Sequence, residues 1–120
     1  MNAVAAGQTA QTSSAIDTAG FEGVKLYSMF GTITAGAVTS VKVQQSSDDA
    51  AADAYADLTG TSITVADDDD NQVVVHDIYR PRERYLKVVI SRATQNAVID
   101  GIVAVLYGAD KMPTTDDTTT

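Results

Sequence analysis

The stretch VVVHDIYRPRERYLKVVISR, residues 73–92, holds two apolar runs separated by a short cationic turn. The first run alternates residue by residue between two faces, and the second is equally rich in valine and isoleucine, which is typical of β-strands. Pro81 marks the turn between them, because proline cannot donate a main-chain hydrogen bond to a strand ladder. This stretch therefore predicts two strands joined by a turn.

Runs of the same kind lie on both sides of this stretch. They are FEGVKLYSMFGTIT (residues 21–34), VTSVKVQQS (38–46), SITVA (62–66) and AVIDGIVAVLY (97–107). The chain has no long helical segment that could connect parallel strands, so antiparallel pairing is favoured. We therefore predict an all-β chain that folds as a single antiparallel β-sandwich, jelly-roll-like, of six or so strands, with another strand possible from the N-terminal residues.

The first of these runs has two apolar faces. Val24 and Leu26 share one face, whereas Tyr27 and Met29 lie on the other. This pattern predicts a strand that is covered on both sides. The small, glycine-containing sequence TAGA that follows, residues 34–37, predicts a turn that forms a hairpin with the next strand.

Two further details concern irregular regions. SSDDAAADAYADLTG, residues 46–60, breaks the alternation and predicts a surface loop or short helix anchored by Tyr55 and Leu58. Gly101 interrupts the most apolar strand, which predicts a β-bulge or a close approach of another backbone.

The two ends of the chain differ in composition from the middle. Residues 1–20 are small and polar, so they offer little apolar area to offset the entropy of ordering, and we expect an extended N-terminal arm that is mobile in isolation. Residues 21–108 form the predicted β-sandwich domain. Residues 109–120 form a predicted C-terminal tail that is loose or is held by a neighbouring molecule.

Composition excludes several classes of partner. Eight basic and sixteen acidic residues give a net charge of −8, which repels phosphate backbones, so we expect no nucleic-acid partner. The absence of cysteine excludes a disulfide framework and a thiolate metal site. No run approaches the roughly 18 apolar residues of a membrane span, and the first residues lack a signal-peptide pattern, so we expect no membrane association.

The basic residues are concentrated at one place. Five of the eight lie in residues 73–92, and three of them flank Pro81. Because proline pushes the preceding residue toward an extended conformation, Arg80, Arg82 and Arg84 would project with a two-residue period if the segment stays extended. Three guanidinium groups would then share one side of the turn.

Two interpretations of these three arginines remain open. In the first, they pair with carboxylates of the same chain, such as Asp77 or Glu83, as exposed charges commonly do. In the second, they bind carboxylates or main-chain carbonyls of another subunit, and Tyr79 and Tyr85 pack beside them. The second interpretation makes the three arginines and these two tyrosines the candidate protein interface.

Other polar residues give no sign of catalysis. The acidic run Asp67 to Asp70 could bind a hard cation such as calcium, but its spacing does not match an EF-hand, and a solvated loop is favoured. His76 is the only histidine, and no nucleophile motif, metalloprotease motif or phosphate-binding loop accompanies it, so a structural or interfacial role is favoured. We expect no enzyme activity, no cofactor and no metal.

The order of features resembles small virion structural proteins of tailed bacteriophages. A small polar arm precedes FEGVKLYSMFGTIT; VQQSSDD then leads to YADLTG, and DIYRPRERYLKVVISR and NAVIDGIVAVLYG follow. The resemblance covers about residues 17–113. Its most specific parts are YRPRERY, residues 79–85, and residues 96–108.

The resemblance implies a capsid decoration or cement protein without enzyme activity. Such a protein would form a homotrimer, bind the major capsid protein and lie on the capsid exterior of the virion after assembly in the bacterial cytoplasm. Related β-folds also occur in head-to-tail connectors and tails, so a connector or tail component is one alternative. A calcium-assisted carbohydrate-binding module is another.

Overall fold

A computed structural model describes residues 3–66 and 68–109. Ten strands cover most of this part of the chain. They are β1 (Val4–Gly7), β2 (Gln11–Thr12), β3 (Ile16–Asp17), β4 (Phe21–Ile33), β5 (Val38–Ser46), β6 (Ala56–Asp57), β7 (Ile63–Val65), β8 (Val73–Tyr79), β9 (Tyr85–Ala93) and β10 (Ala97–Ala109). The described residues contain no helix, and accordingly none that could span a membrane.

The strands form two antiparallel sheets that pack together, which confirms the predicted β-sandwich. Sheet A has the order β1-β10-β4-β8. In sheet B, β9 pairs with β2 and β3 on one side and with β5 on the other, and β5 also pairs with β6 and β7. Alternation along each strand directs one set of side chains between the sheets.

The core lies between the two sheets. Leu26 and Phe30 of β4 are fully buried, as are Val43 of β5 and Leu86 and Ile90 of β9. Burying one such side chain contributes about 2 kcal/mol relative to its exposure. The buried positions of β4 are those that the sequence pattern predicted for one of its faces.

The predicted hairpin between β4 and β5 is wrong, although the turn itself is present. The Ala37 N–H donates to the Thr34 carbonyl over 3.0 Å, and Gly36 has a φ of 88°. However, β4 pairs with β8 and β10, whereas β5 pairs with β9. The turn therefore connects the two sheets, because packing the apolar faces of β4 and β5 into one core buries both.

The irregular regions follow the predictions more closely. Residues 47–55 form bends and turns on the surface, and Leu58 packs against the core. The Tyr55 hydroxyl donates to Asp49 over 2.6 Å, which ties the loop to itself. The register of β10 against β4 shifts between Ile99 and Gly101, which confirms the predicted bulge.

The N-terminal arm is extended, but it is paired within its own chain. β1 lies along β10, and β2 and β3 lie along β9. Ser13 donates its N–H to the Val88 carbonyl and accepts the Val88 N–H at its hydroxyl, both over 2.9 Å. Main-chain hydrogen bonds order this segment with little apolar area, which is why composition did not reveal the pairing. Residues 110–120, most of the predicted tail, lie outside the described residues.

Candidate functional site

The cationic turn between β8 and β9 lies at one end of the sandwich. It is not extended, contrary to the sequence prediction, because Arg80 has a φ of 52° and residues 82–84 form a bend. The Arg80 N–H donates to the Glu22 carbonyl over 2.6 Å, which holds the turn against the start of β4. The three arginines of the turn therefore do not project with a two-residue period.

Arg84 is engaged within the chain. Its Nε and Nη2 atoms each donate to one carboxylate oxygen of Asp17 over 2.8 Å. Its carbonyl accepts both the N–H of Thr18, over 2.9 Å, and the Thr18 hydroxyl, over 2.7 Å. The hydrogen bond from Arg84 lowers the pKa of Asp17 to about 2. Arg84 therefore connects the turn to the arm. Its carboxylate partner is Asp17, and not Asp77 or Glu83.

The two tyrosines of the predicted site lie beside arginines of the turn. The Arg80 guanidinium lies 5.4 Å from the centre of the Tyr79 ring, and that of Arg84 lies 5.1 Å from the Tyr85 ring. Both tyrosines therefore stack with arginines of the turn, as predicted for residues packing beside them. Arg82 is exposed and has no hydrogen bond or ion pair with the described residues.

An open cleft of about 490 Å³ lies beside this turn. Residues 18–22 line one side and residues 80–84 line the other. Arg80 and Arg82 contribute positive charge, and Glu22 and Glu83 contribute negative charge. The guanidinium groups of this cleft can donate two parallel hydrogen bonds to a carboxylate, or donate to a main-chain carbonyl.

Glu83 has another acidic group, Asp53, as a close neighbour. Burial raises its pKa, and the neighbouring carboxyl of Asp53 raises it further. Asp53 itself is held by the N–H and hydroxyl of Ser47, which lower its pKa. Glu83 therefore lies at the junction of the cleft and the acidic 47–55 loop.

Arg92 has a structural role that the sequence did not reveal. Its side chain is only 5% exposed, on β9 near the arm. Its Nε donates to the Thr9 carbonyl over 2.7 Å, and its Nη1 donates to the carbonyls of Ala5 and Ala97 over 3.0 and 2.7 Å. The guanidinium lies directly under Gly7, where a Cβ atom would come within 3.2 Å of Nη2. Arg92 is thus the anchor of the arm.

The single histidine makes a structural contact. His76 is buried on the inner side of β8, and its Nε2 lies 2.6 Å from the Thr61 carbonyl. Because a carbonyl only accepts, Nε2 must carry the proton. The ring links β8 of sheet A to the segment that precedes β7 of sheet B.

The described part of the acidic run supports the main chain. Asp69 accepts the Ala66 N–H, and Asp70 accepts the Ile33 N–H, both over 3.1 Å. Among residues 3–66 and 68–109, no three acidic or histidine side chains are grouped to hold a metal ion. Asp67, which belongs to the predicted cation site, lies outside the described residues.

The outer face of sheet A is a surface that the sequence analysis did not single out. We use this name for the solvent-side residues of β10, β4 and β8. Among residues 3–66 and 68–109, seven large hydrophobic residues are exposed, and five of them lie on this face, namely Val73, Val75, Tyr79, Val103 and Val105. In the sequence, Tyr27 and Met29 mark this surface as the second apolar face of β4, which was expected to be covered. Within the described residues, that face is not covered.

Comparison with known proteins found no relative of this chain. No protein-family model matches it, and no curated protein or solved structure is significantly similar to it.

Proposed function

We propose that this protein is a structural component of a tailed-bacteriophage virion, which binds the outer surface of the assembled capsid as a decoration or cement protein. Its partners are the major capsid protein and other copies of itself. The phage assignment depends on the sequence resemblance described above. The geometry of the cationic cleft supports a role in binding another protein.

The exposed position of Arg80 and Arg82 on a fixed turn is the observation that carries this proposal. Arg84 holds the turn to the arm by four hydrogen bonds, so the two remaining guanidinium groups project from a rigid support. A main chain that is already ordered loses little further conformational freedom when it binds. A carboxylate or chain carbonyl of a capsid subunit has the acceptor geometry that arginine prefers.

The mechanism is stabilisation by binding to the assembled state. Each cleft forms a modest contact, and self-association converts later contacts into intramolecular ones at high effective concentration. Because the protein binds the assembled lattice and not free subunits, mass action stabilises the lattice against rupture. The resemblance implies three copies per assembly, and this number remains a prediction.

Particle binding tests the proposal. Phage particles produced from a genome that lacks this gene are incubated with the purified protein and separated by sedimentation. We expect saturable binding to the particles, and labelled protein should decorate the head in electron micrographs. Labelling confined to the neck or tail would instead favour a connector or tail component, and absence of binding would refute the virion assignment.

Charge reversal then tests the cleft. The variant Arg80→Glu/Arg82→Glu should bind particles at least 10-fold more weakly and remain folded, because neither side chain supports the core. The matched control is Lys42→Glu/Lys87→Glu, which reverses two basic residues of sheet B and so changes the net charge by the same amount. Equal particle binding by both variants would remove the two arginines from the mechanism.

A further inference from the structure

The end of β10 carries the chain past the cationic cleft. Ala109, the last residue of that strand, is paired with Phe21, which lines the cleft. Gly108 packs against Glu22, another residue of the cleft wall, because a Cβ atom at position 108 would lie 2.8 Å from the Glu22 Cβ. The chain therefore continues into residues 110–120 from the edge of the cleft.

The opposite end of the described chain starts away from the cleft. Val4 of β1 is paired with Ile99, near the start of β10, whereas the cleft lies beside the end of that strand. Residues 1–2 also contain no acidic group. Residues 110–120 contain three aspartates and one lysine, so they are the terminal segment with both the position and the charge to meet the cleft.

Two arginines of the cleft are available to a carboxylate. Arg84 is paired with Asp17, but within residues 3–66 and 68–109 neither Arg80 nor Arg82 forms an ion pair. The turn that carries them is fixed by the hydrogen bonds of Arg84, so both residues stay beside the cleft. Arginine binds a carboxylate through two parallel hydrogen bonds, and the segment 110–120 supplies such groups.

The order of charges along the segment matches that of the cleft. Lys111 comes three residues after the contact of the chain with Glu22. The strands β10, β4 and β8 are neighbours in sheet A, so the turn that follows β8 lies roughly 10 Å, or about two strand spacings, from the end of β10. The chain from Ala109 to Asp116 can span roughly 23 Å. Asp116 and Asp117 therefore come within reach of both arginines.

We propose that residues 110–120 of the same chain occupy the cationic cleft in the free protein, with Asp116 and Asp117 bound by Arg80 and Arg82. The cleft, at about 490 Å³, has the size of a site for a short segment. Because the segment is tethered at the cleft, its effective concentration there is in the millimolar range. Two exposed ion pairs within one molecule then favour the occupied cleft over the empty one by roughly 3- to 10-fold.

This contact regulates the cleft. A carboxylate of another protein requires the same two arginines, so the segment must leave before a partner binds. The regulation rests on the proposed function, whereas the contact itself does not, because it needs only the purified chain. The two can therefore fail separately.

Trypsin cleavage after Lys111 tests the contact in the purified full chain. No other lysine or arginine follows Arg92, so this cut releases residues 112–120, and mass spectrometry of the remaining chain reports its rate. The variant Arg80→Glu/Arg82→Glu should be cut at this bond roughly 3- to 10-fold faster than the native chain, because its segment is no longer held.

The matched control is Lys42→Glu/Lys87→Glu, which changes the net charge by the same amount on sheet B and should be cut at the native rate. The difference between the native chain and the cleft variant should disappear as sodium chloride rises from about 0.01 M to about 1 M, where the screening length falls from about 30 Å to about 3 Å.

A double-mutant cycle identifies the partners. Asp116→Asn/Asp117→Asn should be cut as fast as Arg80→Glu/Arg82→Glu, and combining all four substitutions should add no further increase, because the same contact is already lost. Equal cleavage of the cleft variant and its control would overturn the proposal, and so would additive effects in the cycle. Protection that grows with protein concentration would also overturn it, because the segment would then occupy the cleft of another copy.

Particle binding tests the regulation. Asp116→Asn/Asp117→Asn should bind phage particles roughly 3- to 10-fold more tightly than the native chain, because the competing segment is removed. Unchanged binding by a variant that trypsin cuts faster would show that the particle does not use the occupied cleft. Absence of particle binding by every variant would refute the virion assignment and leave the cleavage result as it stands.

Discussion

Replacing Arg92 by methionine should detach the N-terminal arm and destabilise the sandwich. Four hydrogen bonds would be lost: three of 2.7 to 3.0 Å, to carbonyls of Ala5, Thr9 and Ala97, and a long one of 3.4 Å to the Thr9 hydroxyl. Three bonds from a charged donor contribute roughly 5 kcal/mol together. Burying a guanidinium that has no carboxylate partner costs about 2 kcal/mol, and the methionine variant avoids this cost. Methionine retains the apolar stem, so we expect a net loss of about 3 kcal/mol.

Urea unfolding followed by circular dichroism measures this loss. For a domain of this size, about 3 kcal/mol corresponds to a midpoint that falls by roughly 2 M urea. Arg82→Met is the matched control, because Arg82 is exposed and contacts none of the described residues by hydrogen bond or ion pair. Arg92→Lys should fall between the two, since a lysine keeps the charge but not the fork of donors.

Limited proteolysis reports on the arm itself. Residues 1–24 contain no lysine or arginine, so a nonspecific protease is required in place of trypsin. In Arg92→Met, cleavage within residues 3–20 should precede cleavage of the sandwich, because that segment has few apolar contacts once its anchor is removed. If Arg92→Met and Arg82→Met unfold at the same urea concentration and resist the protease equally, Arg92 does not hold the arm.

Three further predictions concern single contacts. The pKa of Asp17 is lowered from 3.8 to about 2, so its carboxylate stabilises the fold fully above pH 3.8, and this contribution is lost as the pH falls toward 2. The difference in urea midpoint between the native chain and Asp17→Asn should therefore shrink as the pH is lowered from 3.8 to 2. The hydrogen bond to Asp77 raises the pKa of Tyr107 to about 12, so Tyr107→Phe should remove an ionisation near pH 12 from the absorbance titration at 295 nm, whereas Tyr27→Phe should leave it in place. Gly23→Ala should cost about 1 to 3 kcal/mol in urea unfolding, because its Cβ would lie 2.5 Å from the Tyr107 ring and 2.9 Å from the Ile78 carbonyl; an unchanged midpoint would show that the ring moves freely.

The strands were predictable because their signal is local. The two-residue alternation of β5 and β8 and the apolar content of β9 and β10 lie within single strands. The partner of each strand is not local, which explains the error at TAGA. A turn of that kind reverses the chain, but the sequence does not say whether the two strands then pair or separate into facing sheets.

The site was less predictable, because its contacts span long distances in sequence. Arg84 binds Asp17, which is 67 residues away and is one of sixteen acidic residues. Arg92 binds main-chain carbonyls of Ala5 and Thr9, and any residue supplies a carbonyl. Sequence reasoning identified the cationic turn but could not tell which of its arginines the fold itself uses.

The molecule has two different exposed surfaces, the cationic cleft and the outer face of sheet A. The cleft presents Arg80 and Arg82, so a partner bound there by its carboxylates should be released as salt rises. The outer face of sheet A is mostly apolar, so a contact made through it should persist or strengthen in kosmotropic salts such as sulfate. Because the two surfaces respond oppositely, a titration of particle binding with sodium sulfate distinguishes them. Particle binding that strengthened with sulfate would mean that the apolar face, and not the cleft, contacts the particle.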